Sequence, residues 1–249
     1  DNADDSPSSD WERMLAPLID DEPPKTDEGL PLGLVVDLAQ SIAQVHGGRS
    51  QPRVLVRPTR RTRAGWARNF TWGDITAHAP RVLLNKAHQS ALKAIHDLYR
   101  VAESRDFSYY GYGDVFLGDL GPRIWPLLRA AVDCGVELIP GPNLPSGGVR
   151  LSADPVQVVL DVTQDGNGLT LKATLDSHVI GSKVHGTTPL GSPPHGFAIA
   201  TADGLTLAPL DAPLDPRLAA LLAGKRPVRV PPADVDRFLS LYLPRLRNV

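Results

Sequence analysis

The apolar residues change their spacing at one place, and that change limits what the chain can fold into. The place is the turn-rich cluster Gly141-Pro142-Asn143-Leu144-Pro145-Ser146-Gly147-Gly148. Before it, two long stretches carry apolar residues at helical period. Leu84, Ala87, Ala91, Leu92, Ile95, Leu98, Tyr99 and Ala102 make one stripe and predict a helix over 83–103. Residues 120–134 predict a second helix, with Pro122 in its first turn and Gly135 in the left-handed position after its end. After the cluster, to about residue 209, the pattern is strand and turn. Val156–Thr163 and Leu169–Leu175 flank Asp165-Gly166-Asn167-Gly168, and Phe197–Thr201 and Leu205–Ala208 flank Asp203-Gly204; both read as hairpins.

Shorter signals fill in the rest. Leu32–Ala39 and Arg53–Arg57 read as strands, the second with Arg53 and Arg57 on one face and Val54 and Val56 on the other. Residues 45–50 read as a loop, and Tyr109–Asp114, YYGYGD, as an aromatic and glycine loop. Val136–Ile139 reads as a short strand, Pro216–Ala223 as a short helix, and Val228–Val230 as a strand. Val235, Phe238, Leu239, Tyr242 and Leu246 mark a last helix that Pro244 interrupts. With 22 Gly and 24 Pro the chain expects many turns and short elements. Helices and strands mix without a βαβ rhythm, so the expected class is α+β: mixed helices and short strands, then a β-rich half with hairpins and a C-terminal helix. The expected organisation is an acidic leader with one short helix at 1–28, an α/β lobe at 29–145, and a β-rich lobe with the C-terminal helix at 146–249.

Charge sets the leader apart. Residues 1–28 hold ten acids against Arg13 and Lys25, a net charge of −8, while the whole chain is −2 and residues 29–249 therefore carry +6. Within the leader, Ser9 and Glu12 have capping-box spacing, and Trp11, Met14, Leu15, Leu18 and Ile19 lie at helical period. The DNADDSPSSD terminus has no basic n-region and no apolar core, so no signal peptide is expected, and the chain reads as a piece of a longer one. No apolar run reaches 18 residues, so no membrane helix is expected and the expected location is the cytoplasm.

The segments that come nearest to catalytic patterns miss their physical requirements. Gly224-Lys225 lacks the earlier glycine and the following hydroxyl of a phosphate-cradling loop, and Gly181-Ser182-Lys183 fails likewise. Asp20-Asp21-Glu22 follows residues at helical rather than strand spacing, so it does not read as a magnesium site. His46, His78, His88, His96, His178, His185 and His195 do not fall at metal-ligand spacing on one helix; His88 and His96 read as half-exposed helix residues. A triad of His178, His185 and His195 is the metal alternative. Cys134, the single cysteine, reads as a small buried thiol rather than a nucleophile. No catalytic, cofactor-binding or metal-binding residue is assigned on these grounds.

One run does point to a ligand. From Arg53 to Trp72 there are six arginines, no acid, and three interleaved aromatics, Trp66, Phe70 and Trp72. Guanidinium groups fork onto phosphates and aromatic rings stack on bases. Arg57, Arg60, Arg61, Arg63, Trp66 and Arg68 are therefore the expected nucleic-acid contacts; the alternative is a solvated hairpin with its tryptophans in the core.

Four segments together resemble a known setting. They are VRPTRRTRAGWARNFTWGDI, YYGYGD followed by GPRIWPLLRAAVDCGVELI, VQVVLDVTQDGNGLTLKATL, and LTLAPLDAPLDPRLAALLAG with VRVPPADVDRFLSLYLPRLR. This order is similar to the region upstream of the motor in large actinobacterial DEAD/DEAH-box helicases of the Swi/Snf type. The resemblance implies a non-catalytic accessory region, DNA-engaging or regulatory. It implies DNA and a C-terminal motor domain of the same chain as partners, with ATP and magnesium belonging to that motor and no cofactor to this region. None of the family's ATPase motifs lies in this chain. The competing reading is a protein-interaction scaffold that positions such a motor on a protein partner; an independent enzyme is the third and has no convergent set of titratable groups behind it.

Overall fold

The computed structural model describes residues 29–40, 52–77, 82–103, 115–144, 147–176, 184–211, 214, 218, 221–222 and 227–246. The acidic leader, the 45–50 loop, YYGYGD and most of 216–223 lie outside these residues, as do His46, His78 and His178. The α+β class expected from the sequence is the one observed.

The first sheet has the order β3-β2-β1-β5, formed by Gly65–Trp66, Pro52–Thr62, Leu32–Gln40 and Glu137–Pro140, with β4, Val115–Phe116, also pairing β2. β1 is antiparallel to β2 and parallel to β5. β2 runs five residues beyond the expected Arg57. Pro58 sits between the β4 partners at Leu55 and Val56 and the β3 partners at Arg61 and Thr62. On that stretch β2 is paired on its β1 side only, so a residue without an N–H is tolerated there.

Period-2 alternation gives this sheet one apolar face toward the helices, while Asp37, Leu55 and Thr59 are buried on the other. Leu32, Leu34 and Val36 of β1 and Val54 and Val56 of β2 are at most 2% exposed. Two helices cover them. In α2, Lys86–Glu103, Leu92 and Ile95 face the sheet; in α3, Ile124–Asp133, Ile124, Leu128 and Ala131 do. A shorter helix, α1, Trp72–Thr76, buries Trp72 and Ile75 beside them. α2 starts three residues later than the expected 83 because Leu83 and Asn85 bond instead to Leu30, and the Asn85 side chain accepts the His88 N–H. α3 ends as its glycine predicts: Gly135 has φ +99°, its N–H reaches the Val132 carbonyl, and the Val136 N–H reaches that of Ala131.

The second sheet has the order β6-β11-β10-β9, from Gly148–Leu151, Gly204–Pro209, Gly196–Thr201 and Val184–Leu190. A third has the order β12-β8-β7, from Val228–Val230, Gly168–Leu175 and Val158–Asp165. Both expected hairpins are present, β7–β8 closing at Asp165↔Gly168 and β10–β11 at Thr201↔Gly204. Residues 232–246 form the C-terminal helical segment, with a π turn at Phe238–Tyr242 just before Pro244.

The main core crosses residue 145. Val149, Leu190, Ala198, Leu205 and Leu207 of the second sheet belong to the same buried cluster as Leu32, Leu34 and the helix residues. Trp125 on α3 seals the junction. Its Nε1–H donates to His195 Nδ1 at 3.1 Å and to the His195 carbonyl at 3.0 Å. Gly196 makes room for it, since a Cβ there would sit 2.1 Å from the indole. A smaller cluster of Val156, Phe197, Ile199, Ala208 and Leu214 lies between the second and third sheets.

Candidate nucleic-acid interface

The arginine run becomes a hairpin that projects past the first sheet. β1 begins at Leu32, opposite Arg60, so Arg61 and Thr62 have no β1 strand residue beside them. They pair instead with Trp66 and Gly65 around a turn at Arg63–Ala64. Gly65 holds φ +121°, a conformation that only glycine adopts freely. The Thr62 hydroxyl donates to the Gly65 carbonyl at 2.9 Å, the Thr59 hydroxyl to that of Ala67 at 2.7 Å, and the Ala67 N–H to that of Arg60 at 3.0 Å. These bonds hold the hairpin at its tip and at its base.

The expected contacts do not share one surface. Arg57 and Arg61 are both exposed on the sheet face away from the helices, and Trp66 pairs with Arg61 there. Arg60 is opposite Leu32 on the other face and is half-buried. Arg63 is exposed at the turn, and Arg68 is exposed in the bend after β3. The Arg61 guanidinium lies over the Trp66 ring at 5.1 Å from its centre. The far edge of that ring abuts Gly33 of β1, where a Cβ would lie 3.0–3.1 Å from Cζ3 and Cη2. Trp66 is therefore seated by its edge and has Arg61 on one face, which makes it a support for Arg61 more than an open stacking surface. Phe70 packs against the core, and Trp72 is 4% exposed and stacked on His96 at 5.5 Å.

Folding brings acids to two of the arginines. Arg53 pairs with Asp119 at 2.6 Å and lies 3.9 Å above the Phe116 ring. Arg57 is 3.8 Å from Asp37. Asp37 is 1% exposed and already well bound: its Oδ1 accepts the N–H groups of Leu38 and Asn143, and its Oδ2 accepts the Asn143 side-chain amide. This carboxylate anchors the Gly141–Leu144 turn that the sequence marks as hinge-like. Among the described residues, no carboxylate pairs with Arg60, Arg61, Arg63 or Arg68. The absence of acids along the run thus carries over to its C-terminal part and not to Arg53 or Arg57. No local signal announces Asp37 or Asp119, which are 20 and 66 residues away from their arginines.

The other chemistry-bearing residues take structural places. His88 is 7% exposed rather than half-exposed, with Leu32 donating its N–H to Nδ1 at 3.1 Å and Nε2 lying 3.0 Å from the Cys134 carbonyl. His195 is 3% exposed, and burial pushes its imidazole below the ordinary 6.5. His185 is exposed on β9. Among the described residues no three His, Cys, Asp or Glu side chains converge as metal ligands would. Cys134 is half-buried rather than buried, its thiol 3.2 Å from the Ala131 carbonyl. An apolar groove of about 110 Å³ opens between the third sheet and the C-terminal segment, lined by Leu160, Leu171, Ala173, Leu221, Val228 and Leu246 among others. Among the described residues no helix is long and apolar enough to cross a membrane.

No family model, no curated protein and no solved structure matches the chain.

Proposed function

We propose that this chain is a non-catalytic accessory region that engages DNA through its phosphate backbone. Its setting is the one its sequence resembles: a Swi/Snf-type ATP-dependent helicase or translocase whose motor, with ATP and magnesium, lies C-terminal in the same protein. The observation that carries the reading is the projecting hairpin. It presents Arg61 and Arg63 at its tip and Arg68 just beyond, all exposed, with no acid paired to them among the described residues. Backbone hydrogen bonds fix the hairpin, and Trp66 orients Arg61. The stacked position of Arg61 on Trp66 favours phosphate contact over base stacking, and so sequence-independent binding.

Each phosphate contact on duplex DNA contributes about −0.9 to the slope of log K against log salt, so three arginines contribute about −2.7. Affinity at physiological salt is expected in the range of roughly 10⁻⁴ to 10⁻⁶ M. Fluorescence anisotropy with a labelled duplex, titrated at several salt concentrations, tests this. Replacing Arg61, Arg63 and Arg68 together by Ala should weaken binding and flatten the slope by about 2.7 without changing the unfolding transition. Binding that survives the triple substitution unchanged, or no binding at low salt, overturns the proposal. The scaffold reading would then replace it.

A further inference from the structure

The third sheet has two edges, and they are built differently. β12 is three residues long, lies between Pro227 and Pro231, and carries the exposed Arg229. Prolines and charge close such an edge to further strands. β7 has eight residues, VVLDVTQD, with no Pro, no Lys and several β-branched side chains. It pairs with β8 on one side and, among the described residues, with no strand on the other. From Asp161 to Asp165 it is exposed.

Hairpin geometry decides which backbone groups that edge presents. Asp165 and Gly168 close a two-residue turn, so they form a hydrogen-bonded pair, and bonded pairs recur at every second residue. The Asp176 N–H reaches the Gln157 carbonyl at 2.9 Å, in step with that alternation. Gln157, Val159, Asp161, Thr163 and Asp165 therefore bond inward to β8. The N–H and C=O groups of Leu160, Val162 and Gln164 point outward. The two acids of the strand do not guard them. Asp161 accepts the Thr174 hydroxyl at 3.0 Å and lies opposite Lys172, and Asp165 lies 3.9 Å from Arg229. Both charges are drawn back over their own sheet.

We infer that the β7 edge pairs antiparallel with β7 of a second copy of this chain, about a two-fold axis at Val162. Charge selects the register. An axis at Asp161 sets that acid against its own copy, and one at Thr163 sets Asp161 against Asp165 of the second copy. Like charges directly opposite are unfavourable. An axis at Leu160 uses the half-buried end of the strand, which cannot extend because Val156 is already bridged to Leu210. The axis at Val162 sets Val162, 36% exposed, against its own copy, with Leu160 beside Gln164 and Asp161 beside Thr163. It pairs about seven residues of each chain through about six backbone hydrogen bonds. A second copy fits because the pairing is self-complementary and self-limiting. The joined sheet has a proline-flanked β12 at both outer edges, so it closes as a dimer instead of growing. A strand pair of this length buries less than the roughly 1,200 Å² of stable interfaces, so association is weak and concentration-dependent. None of this depends on the DNA reading.

The test uses the full chain in sedimentation equilibrium from about 10 μM to about 1 mM. The mass should rise from 26.8 kDa toward twice that value. Over the same range, amide exchange at Leu160, Val162 and Gln164 should slow, while the inward amides of Asp161 and Thr163 are protected throughout. Val162→Pro removes an N–H that β8 does not use, so the hairpin is retained. Association should weaken at least about 25-fold, from two bonds lost across the axis at about fivefold each. Val162→Lys and Val162→Glu should each be monomeric alone and should associate when mixed, because residue 162 faces itself. Leu239→Ser, on the exposed side of the C-terminal segment, should dimerise as wild type does. A chain that stays monomeric to about 1 mM overturns the inference and leaves the edge to an unlike partner. A dimer of unchanged strength in the Val162 variants overturns it too, and loss of that dimer on Leu239→Ser would move the interface to the helical segment.

Discussion

A single imidazole joins three elements of the main core, and removing it gives a test of how that core is held. His88 lies in the first turn of α2; Nδ1 accepts the Leu32 N–H at the start of β1, and Nε2 faces the Cys134 carbonyl at the end of α3. Because Nδ1 accepts, the ring proton is on Nε2 and donates to Cys134. His88→Leu keeps much of the apolar volume and removes both bonds. Each neutral hydrogen bond contributes about 1 kcal/mol, and each buried partner left unsatisfied adds about 1–3 kcal/mol. Gains from the added apolar side chain offset part of this, so a net loss of about 2–4 kcal/mol is expected. With a urea m-value near 3 kcal/mol/M, the unfolding midpoint should fall by about 1 M, read from tryptophan fluorescence. Two further variants separate the bonds. His88→Asn sets an acceptor near the Nδ1 position and His88→Gln sets a donor near Nε2, so each should recover about half of the loss. A leucine variant within about 0.5 kcal/mol of wild type, or amides no better than leucine, would refute this account of the core.

Two other outcomes follow from buried polar groups. His195 is held below its ordinary 6.5 by burial, so below that value the unfolded chain binds a proton that the folded one resists. Its contribution to stability is complete above about 6.5 and is lost as pH falls through the folded value. Urea midpoints at pH 7.5 and 5.0 should therefore drop more in wild type than in His195→Asn, which cannot titrate; equal drops would count against the burial argument. Asp37 binds three N–H donors while Arg57 lies exposed at 3.8 Å, so the two partners of this pair should differ sharply. Asp37→Ala should cost about 2–4 kcal/mol by stranding donors, and Arg57→Ala less than about 1 kcal/mol, as measured by urea unfolding; comparable losses would show the ion pair to matter more than the hydrogen bonds.

Much of the fold was legible because it is local. Both hairpins carry Asp-Gly turns, α2 carries a continuous stripe, and Gly135 ends α3 where its conformational freedom is needed. The less legible elements depend on partners far along the chain. β9 contains Gly186 and Pro189, which weaken a strand signal, and it is held by pairing along β10. β6 starts inside the turn cluster and is a strand because β11 lies parallel beside it. β2 continues past Pro58 because β1 pairs it up to Arg60. The site divides in the same way. Arg61, Arg63 and Arg68 stayed exposed as an acid-free run suggests, whereas Arg53 and Arg57 met Asp119 and Asp37 only through the fold. Phe70 and Trp72 were read as interleaved with the arginines, yet they sit where α1 and the core need apolar rings. His88 shows the converse case, a polar residue buried because two backbone groups require it.

The third sheet has a consequence for the order in which the molecule comes apart. β7 and β8 rest on the smaller cluster through Val158 and Leu175, β12 is held to them by pairing with β8, and β7 is exposed from Asp161 to its end. The second sheet, by contrast, is bound into the main core through Val149, Leu190, Ala198, Leu205 and Leu207. Breaking the small cluster releases the three-stranded ribbon while that shared core stays closed. The ribbon is then a separate cooperative unit, opening at a free energy below that of global unfolding. Its amides would exchange through sub-global openings, and a protease would find β7 and β8 before it reached β1 or α2. A polypeptide nicked there would keep the strands that carry the arginine hairpin, because β1 and β2 are packed in the main cluster and not in the small one.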